Sequence, residues 1–268
     1  MIAVIGANGF LGSRLTYSLL QNNKKVIAVH NGNTCSIDSR ATSMTTDSFL
    51  ISDFEPTEIY FSAGSYSCSH LELLQINDLL HKISKKFTAS KIIFISSTNV
   101  YGMHKDVISI NSPFNNPGLY AISKIAGEFI VCSHKKYAIL RLTYLYGPGL
   151  NNKSFLPNLI AKSKENGEIT LFGDGKRVQD YLYIDDAISL CMACDTLETN
   201  EILLGATGTS ISNNEVASII SSYNQCEINY TGVETSESFR FEVNNTLNKV
   251  NWVSKISFKE GLKKVLTS

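Results

Sequence analysis

The stretch that most constrains this chain is its first turn. Ile2 to Ile5 form a short apolar run that reads as a buried parallel strand. Gly6-Ala7-Asn8-Gly9-Phe10-Leu11-Gly12 follows, and then SRLTYSLLQNN, which reads as a helix. Strand, glycine turn and helix in that order is the setting in which such glycines acquire a purpose. Gly6 permits a tight turn, Gly9 lets a pyrophosphate approach the backbone, and Gly12 lets the helix pack on the strand. The free N–H groups at the helix start would face the phosphates. The turn is therefore predicted to bind a dinucleotide.

Lys25 to His30 is the expected second strand. In a dinucleotide fold, an acid near the end of this strand bonds the ribose 2′-hydroxyl of NAD. Here His30 holds that place, followed by Asn31. An acid would repel a 2′-phosphate, and its absence removes that barrier. No arginine adjoins His30 to clamp a phosphate, and Arg40, ten residues on, reads as a surface residue. The cofactor is read as NAD(P), with a slight lean to NADP(H).

Further strands are expected at Glu58–Gly64, Lys91–Ser97 and Ala138–Leu145, with a short one ending near Asp47. Leu71, Leu74, Leu79, Leu80 and Ile83 have helical spacing within residues 70–86. Strands alternating with helices imply an α/β, Rossmann-type, doubly wound parallel sheet. Ligands of such a sheet lie at the carboxyl ends of its strands, so the Gly6 turn, Gly64 and Ser97 should converge on one crevice. After Gly147-Pro148-Gly149 the pattern loosens. Helices are expected at Ser154–Glu165, at Asn213–Ser222, at Phe258–Leu266, and from a cap at Asp185 or Asp186 to about Thr196, with a strand at Ile202–Gly205. The expected organisation is a dinucleotide-binding domain over residues 1–150, rejoined at about 178–206. A small α/β C-terminal substrate lobe would take 151–177 and 207–268.

Composition narrows the setting. Lys plus Arg and Asp plus Glu balance at 24 each in 268 residues, with no long basic run, so nucleic acid is not an expected partner. No apolar stretch approaches the ~20 residues that span a bilayer. The start of the chain shows no basic leader, and the expectation is a cytoplasmic enzyme without membrane attachment. Cys191 and Cys194 form a C-x-x-C inside an apolar helical stretch, with no second pair. They read as buried thiols, and no metal site is expected.

Tyr120 stands four residues before Lys124 at the start of a predicted helix, GLYAISKIAGEF. Positions i and i+4 share one helix face. An ammonium beside a phenol favours the phenolate, which makes the pair a candidate proton donor and acceptor near neutral pH. Tyr101 and Lys105 repeat the spacing, but Gly102 and a strand-to-loop setting argue against helical geometry there.

These residues come with others. GANGFLG at Gly6, FSAG at Phe61, ISSTNVYG at Ile95, YAISK at Tyr120, RLTYLYGPG at Arg141 and GDGKRVQDYLYIDDA at Gly173 occur in this order across most of the chain. In that ordered set the chain resembles the extended short-chain dehydrogenase/reductases, the nucleotide-sugar epimerase/dehydratase group. The resemblance implies a catalytic set of Ser97, Tyr120 and Lys124. Tyr120 would exchange a proton with a sugar hydroxyl or ketone, Ser97 would hold the same oxygen, and Lys124 would bond the nicotinamide ribose. It also implies cofactor contacts at Gly6, Asn8, Gly9, Phe10, Leu11, Gly12, His30, Asn31, Asp47, Ala63 and Gly64, and a structural role for Asn77. Substrate contacts would fall at Ser65, Ser97, Thr98, Tyr144, Phe155, Arg177 and Gln179. A homodimer is expected through the helices at 70–86 and 118–134.

The departures from the group are as informative. Dehydratases carry Asp-Glu directly after the catalytic Ser/Thr, and here those places are Thr98 and Asn99, which cannot supply the acid and base of water elimination. Tyr144 replaces an Asn, and Gln179 an Arg, that help hold the substrate diphosphate, with Arg177 a possible substitute for the lost charge. The expected activity is an NAD(P)-dependent reaction on a nucleotide sugar, with reduction of a 4-keto group preferred on the strength of His30. The alternative is 4-epimerisation with tightly bound NAD. A cofactor-binding sensor without chemistry is the third reading, opposed by the intact Ser97, Tyr120 and Lys124.

Overall fold

The computed structural model describes residues 1–64, 68–104 and 106–268. In chain order its strands are β1 Ile2–Ile5, β2 Val26–His30, β3 Thr42–Thr45, β4 Glu58–Phe61, β5 Lys91–Ser97, β6 Tyr137–Leu142, β7 Tyr144–Tyr146, β8 Glu168–Phe172, β9 Val178–Tyr183, β10 Glu201–Gly205, β11 Ser210–Ser212 and β12 Glu227–Thr231. The α-helices are α1 Phe10–Gln21, α2 Thr46–Ile51, α3 His70–Lys86, α4 Leu119–Cys132, α5 Phe155–Glu165, α6 Ile184–Ala193, α7 Asn213–Asn224, α8 Asn244–Leu247 and α9 Phe258–Leu266. No described helix is long and apolar enough to cross a membrane.

Seven strands form one sheet in the order β10-β6-β5-β4-β1-β2-β3. Every pairing in it is parallel. The order reverses at β1, which lies between β2 and β4. That is the switch point beside which α/β sheets of this kind bind ligands. The strands are apolar throughout because helices cover both faces of the sheet. Val4, Ala28, Tyr60 and Ile93 pack on one side with Leu11, Leu15 and Leu19 of α1 and Ile188 of α6. Ala3, Ile5, Ile27, Ile59 and Phe61, one residue out of phase, pack on the other with Leu80 and Ile83 of α3 and Val131 of α4. The hydrophobic burial that drives folding is thus split between two layers by the period of two along each strand.

A three-stranded sheet, β11-β9-β7, and the parallel pair β12-β8 make up the rest of the strands, so β7 and β9, expected with the dinucleotide-binding part, pair in the smaller sheet instead. A third apolar cluster includes Tyr101, Ile108, Leu204 of β10 and Phe241. Ile108 forms a bridge with Phe241 there.

Two local expectations are corrected. The run from Ala138 to Leu145 is not one strand: it breaks at Thr143, where the chain passes from the large sheet to the small one. The Thr143 N–H bonds the Gly205 carbonyl at 2.9 Å, while its hydroxyl bonds the Asp180 carbonyl at 3.1 Å. Neither Asp185 nor Asp186 caps α6, whose N-cap is Tyr183. Asp186 instead accepts hydrogen bonds from Ser254 Oγ and the amides of Lys255 and Ile256 at 2.8–3.1 Å, which ties the C-terminal segment to α6.

Candidate active site

The turn after β1 is held by its backbone. The amides of Gly6 and Ala7 both donate to the Val29 carbonyl, which draws the turn against the end of β2. Gly6 has φ +81°, and a Cβ there would stand 2.9 Å from the Ala63 amide nitrogen. At Gly12 a Cβ would overlap the Gly6 carbonyl oxygen. Gly12 therefore lets α1 pack on the turn itself, a closer approach than the helix-on-strand contact expected. Gly9 is the N-cap of α1, in extended conformation, and no side chain caps the helix. The first turn of α1 carries no acidic residue. An open helix start above a glycine cradle at the switch point fits the pyrophosphate of a dinucleotide. Along it, Asn8 and Phe10 are half-buried and Leu11 is buried. The Phe10 ring is covered by the Arg14 guanidinium at 4.4 Å.

At the far edge, His30 ends β2 and is 7% exposed. Its Nδ1 accepts a hydrogen bond from the Gly32 amide at 3.2 Å. Asn31 is exposed. Asp47 is exposed in the first turn of α2, just past β3, at the same end of the sheet.

The ends of β4 and β5 meet α4 beside the turn. Ala63 and Gly64 follow β4, and Gly64 has φ +107°. Lys124 is 5% exposed. Its Nζ donates to the Ile95 carbonyl at 2.8 Å and to the Ala63 carbonyl at 3.3 Å, and it lies 5.1 Å from the Phe94 ring centre. Burial pushes the Lys124 ammonium down to about 8, against the opposing influence of Cys68 and Glu128. Tyr120 is half-buried, one turn earlier on α4, with its ring centre 5.7 Å from Lys124 Nζ. Ser97 closes β5, and its Oγ accepts from the Asn99 amide at 3.2 Å. Its neighbour Thr98 is buried. Asn77 donates from α3 to the carbonyl and hydroxyl of Ser123 at 3.1 and 3.2 Å, which fixes α4 one residue before Lys124. Ser65 and Lys105 lie outside the described residues.

The remaining substrate candidates sit at and around the smaller sheet. The Tyr144 hydroxyl lies 2.5 Å from Ser154 Oγ and accepts from the Leu156 amide at 3.3 Å, so this phenol holds the start of α5. Phe155 is the half-buried first residue of that helix. Arg177 directly precedes β9, and Gln179 is the second residue of that strand. Arg177 Nη2 donates to Gln179 Oε1 at 3.2 Å and Nε to the Glu237 carbonyl at 3.0 Å. Among the described residues no carboxylate lies within ion-pair distance of Arg177.

The C-x-x-C thiols are buried, and burial pushes Cys194 up to about 12. Another buried charged group was missed in the reading of the sequence. Glu128, one turn past Lys124, is bonded twice by Arg141 of β6, at 3.0 and 2.7 Å. The signal available was a second charged residue at i+4 on a helix whose other face is apolar.

Comparison with known proteins gives the family and the fold. The profile of the NAD dependent epimerase/dehydratase family matches residues 2–202. A Methanocaldococcus jannaschii protein provisionally named UDP-glucose 4-epimerase is 28% identical, with 99% of this chain and 97% of that protein aligned. Among solved structures, UDP-glucose 4-epimerase from Thermotoga maritima with UDP-glucose superposes with a TM-score of 0.85 at 22% identity, covering 99% of this chain and 97% of that one. UDP-glucuronic acid 4-epimerase from Bacillus cereus with NAD gives 0.86 at 21% identity over the same shares.

Proposed function

The chain belongs to the NAD-dependent epimerase/dehydratase family, and from that premise we propose that it is a nucleotide-sugar 4-epimerase that retains NAD. What supports this reading is Lys124, bonded to the Ile95 carbonyl two residues before Ser97 and 5.7 Å from the Tyr120 ring centre, with Thr98 and Asn99 where elimination would need an acid and a base. The end-to-end likeness to a protein named for 4-epimerisation supports it.

NAD, when bound, would supply the hydride acceptor and donor for C4. Gly6, Gly9, Gly12 and the open start of α1 would take its pyrophosphate, with Ala63 and Gly64 alongside. His30, Asn31 and Asp47 would border the adenosine end. Tyr120 takes the proton of the C4 hydroxyl and later returns it. Ser97 Oγ already accepts the Asn99 amide, so its own O–H is left to donate to the C4 oxygen. Lys124 uses two of its three N–H donors on carbonyls of β5 and the β4 loop, leaving one for a ribose hydroxyl.

Arg177 is the substrate-phosphate residue in this reading. Its guanidinium has N–H groups to spare and no carboxylate partner among the described residues, and Gln179 orients it. Tyr144 is the less suited of the substrate candidates: Ser154 passes its hydroxyl proton to Asn152, so the Tyr144 proton goes to Ser154 and its lone pair to Leu156. The apolar residues exposed on α3 and α4, including Leu74 and Phe129, favour the expected homodimer. A 4-keto reductase is the second reading, favoured by the absence of an acid at the end of β2. The two are separated by cofactor retention. An epimerase purifies with NAD that survives gel filtration, whereas a reductase exchanges NADPH freely.

A further inference from the structure

We propose that Glu128 is a positioning residue for the reaction: it places a buried carboxylate one helical turn from Lys124 and, through Ser96 and Arg141, ties together the elements that carry the catalytic side chains. The inference rests on the reading of Lys124 as part of the catalytic set.

Lys124 and Glu128 are one turn apart on α4, both 5% exposed. The Glu128 carboxylate is fixed from three directions. Arg141 Nε and Nη2 of β6 donate to its two oxygens at 3.0 and 2.7 Å, and Ser96 Oγ of β5 donates at 2.5 Å. Ser96 directly precedes Ser97. Arg141 Nη1 donates to the Tyr101 hydroxyl at 2.9 Å, and Tyr101 ends the turn that begins at Thr98. The guanidinium also lies 5.0 Å from the Tyr101 ring centre and 5.2 Å from that of Phe114. One carboxylate thus ties together the strand that ends in Ser97, the turn after it, the helix of Tyr120 and Lys124, and β6.

Packing alone does not explain this choice. A buried ion pair can often be replaced by apolar residues of similar volume without loss of stability. What an apolar pair would not supply is negative charge beside Lys124. The charged or titratable groups that face Lys124 are Tyr120 and Glu128 on its own helix and Cys68 ahead of α3, with Tyr101 and Arg141 behind Glu128. Among these, Glu128 is the carboxylate, and it also neutralises Arg141. An ammonium buried to this degree is driven towards its neutral form unless an opposite charge is near. Burial pushes Lys124 down, and Cys68 and then Glu128 oppose it, so the influence of Glu128 has the required sign.

The test is the pH profile of kcat/KM for wild type, Glu128→Gln and Glu128→Asp. If the active form carries the Lys124 ammonium, loss of the carboxylate moves the high-pH limb to lower pH by about one unit, in line with the effect of a nearby opposite charge. Glu128→Asp keeps the charge on a shorter arm, so its limb stays near that of wild type while kcat/KM falls. Should Glu128→Gln not fold, because Arg141 is left unpaired, Glu128→Gln/Arg141→Gln removes both charges and is expected to show a displaced limb as well. A folded charge-removing variant whose limb coincides with wild type overturns the proposal. Carbon NMR of Lys124 with ε-labelled lysine, assigned with Lys124→Arg, reads the same ionisation without turnover. A wild-type protein inactive on all nucleotide sugars would therefore refute the proposed function, while an NMR titration unmoved by Glu128→Gln would refute the role of Glu128.

Discussion

Gly9 and Gly12, on either side of the start of α1, should fail in opposite ways when substituted. At Gly12 an added methyl overlaps the Gly6 carbonyl oxygen and stands 2.9 Å from both the Gly6 carbonyl carbon and Ser62 Oγ. Gly6 cannot yield easily, since its amide is bonded to Val29 and its Cα faces the Ala63 backbone. Overpacking of a fixed site costs about 1–3 kcal/mol, and a clash with backbone belongs at the upper end. At ~2–4 °C per kcal/mol for a domain somewhat smaller than this, Gly12→Ala should melt about 6–12 °C below wild type without cofactor. Gly9 is exposed, has φ −77° and ψ 171°, and a Cβ there meets only the Gly6 oxygen at 3.2 Å. Gly9→Val should lose about 1 kcal/mol, mainly through its poorer N-cap. Its side chain would stand where the pyrophosphate must come, and NAD affinity should fall at least tenfold, about 1.4 kcal/mol. The assay is thermal unfolding of each cofactor-stripped protein, followed by NAD titration by calorimetry. A Gly9→Val protein that binds NAD like wild type, or a Gly12→Ala protein that melts with it, refutes the reasoning.

Tyr120→Phe deletes the ionisable hydroxyl and keeps the ring, so turnover should fall by at least about 100-fold with the NAD dissociation constant preserved; near-normal kcat would remove Tyr120 from the acid–base role. His30→Asp should raise the preference for NAD over NADP by about tenfold or more, through repulsion of the 2′-phosphate; an unchanged ratio of dissociation constants would mean that position 30 does not face the ribose. Glu58 begins β4, and burial together with Asp195 pushes its carboxyl up to about 7. The folded state therefore holds a proton that the unfolded chain releases near 4.5, and this group's contribution to stability is lost as pH rises through that window. Glu58→Gln should melt with wild type below the window and a few degrees above it at higher pH, a gain of about 1–2 kcal/mol after solvent screening. A constant difference in melting temperature across pH would contradict this.

Local chemistry explains what was legible in the sequence. The turn at Gly6 could be read because backbone close approach leaves few residue types possible. The bounds of α3, His70–Lys86, followed from its spacing, and the Ser69–Glu72 capping box fixes its start in the structure. Harder to read were choices settled by distant partners. The residues around Thr143 have strand character throughout, and only the competing demands of Gly205 and Asp180 show where the chain changes sheet. Asp186 has the composition of a cap, but the segment at Ser254–Ile256 claims it. Glu128 and Arg141 are thirteen residues apart and belong to different elements, so no periodicity links them. At His30 the residue type was legible, while its bond to Gly32 depends on the turn that follows.

The most direct measurement is C4 interconversion itself. The purified protein, with NAD and no added reductant, is incubated separately with UDP-glucose and UDP-galactose, and with the matching pair of UDP-uronic acids, and the sugars are followed by proton NMR. One such pair is expected to approach the same mixture of C4 epimers from both sides, with no net consumption of NAD. No interconversion in any pair, together with stoichiometric oxidation of NADPH when a 4-keto nucleotide sugar is supplied, would contradict it.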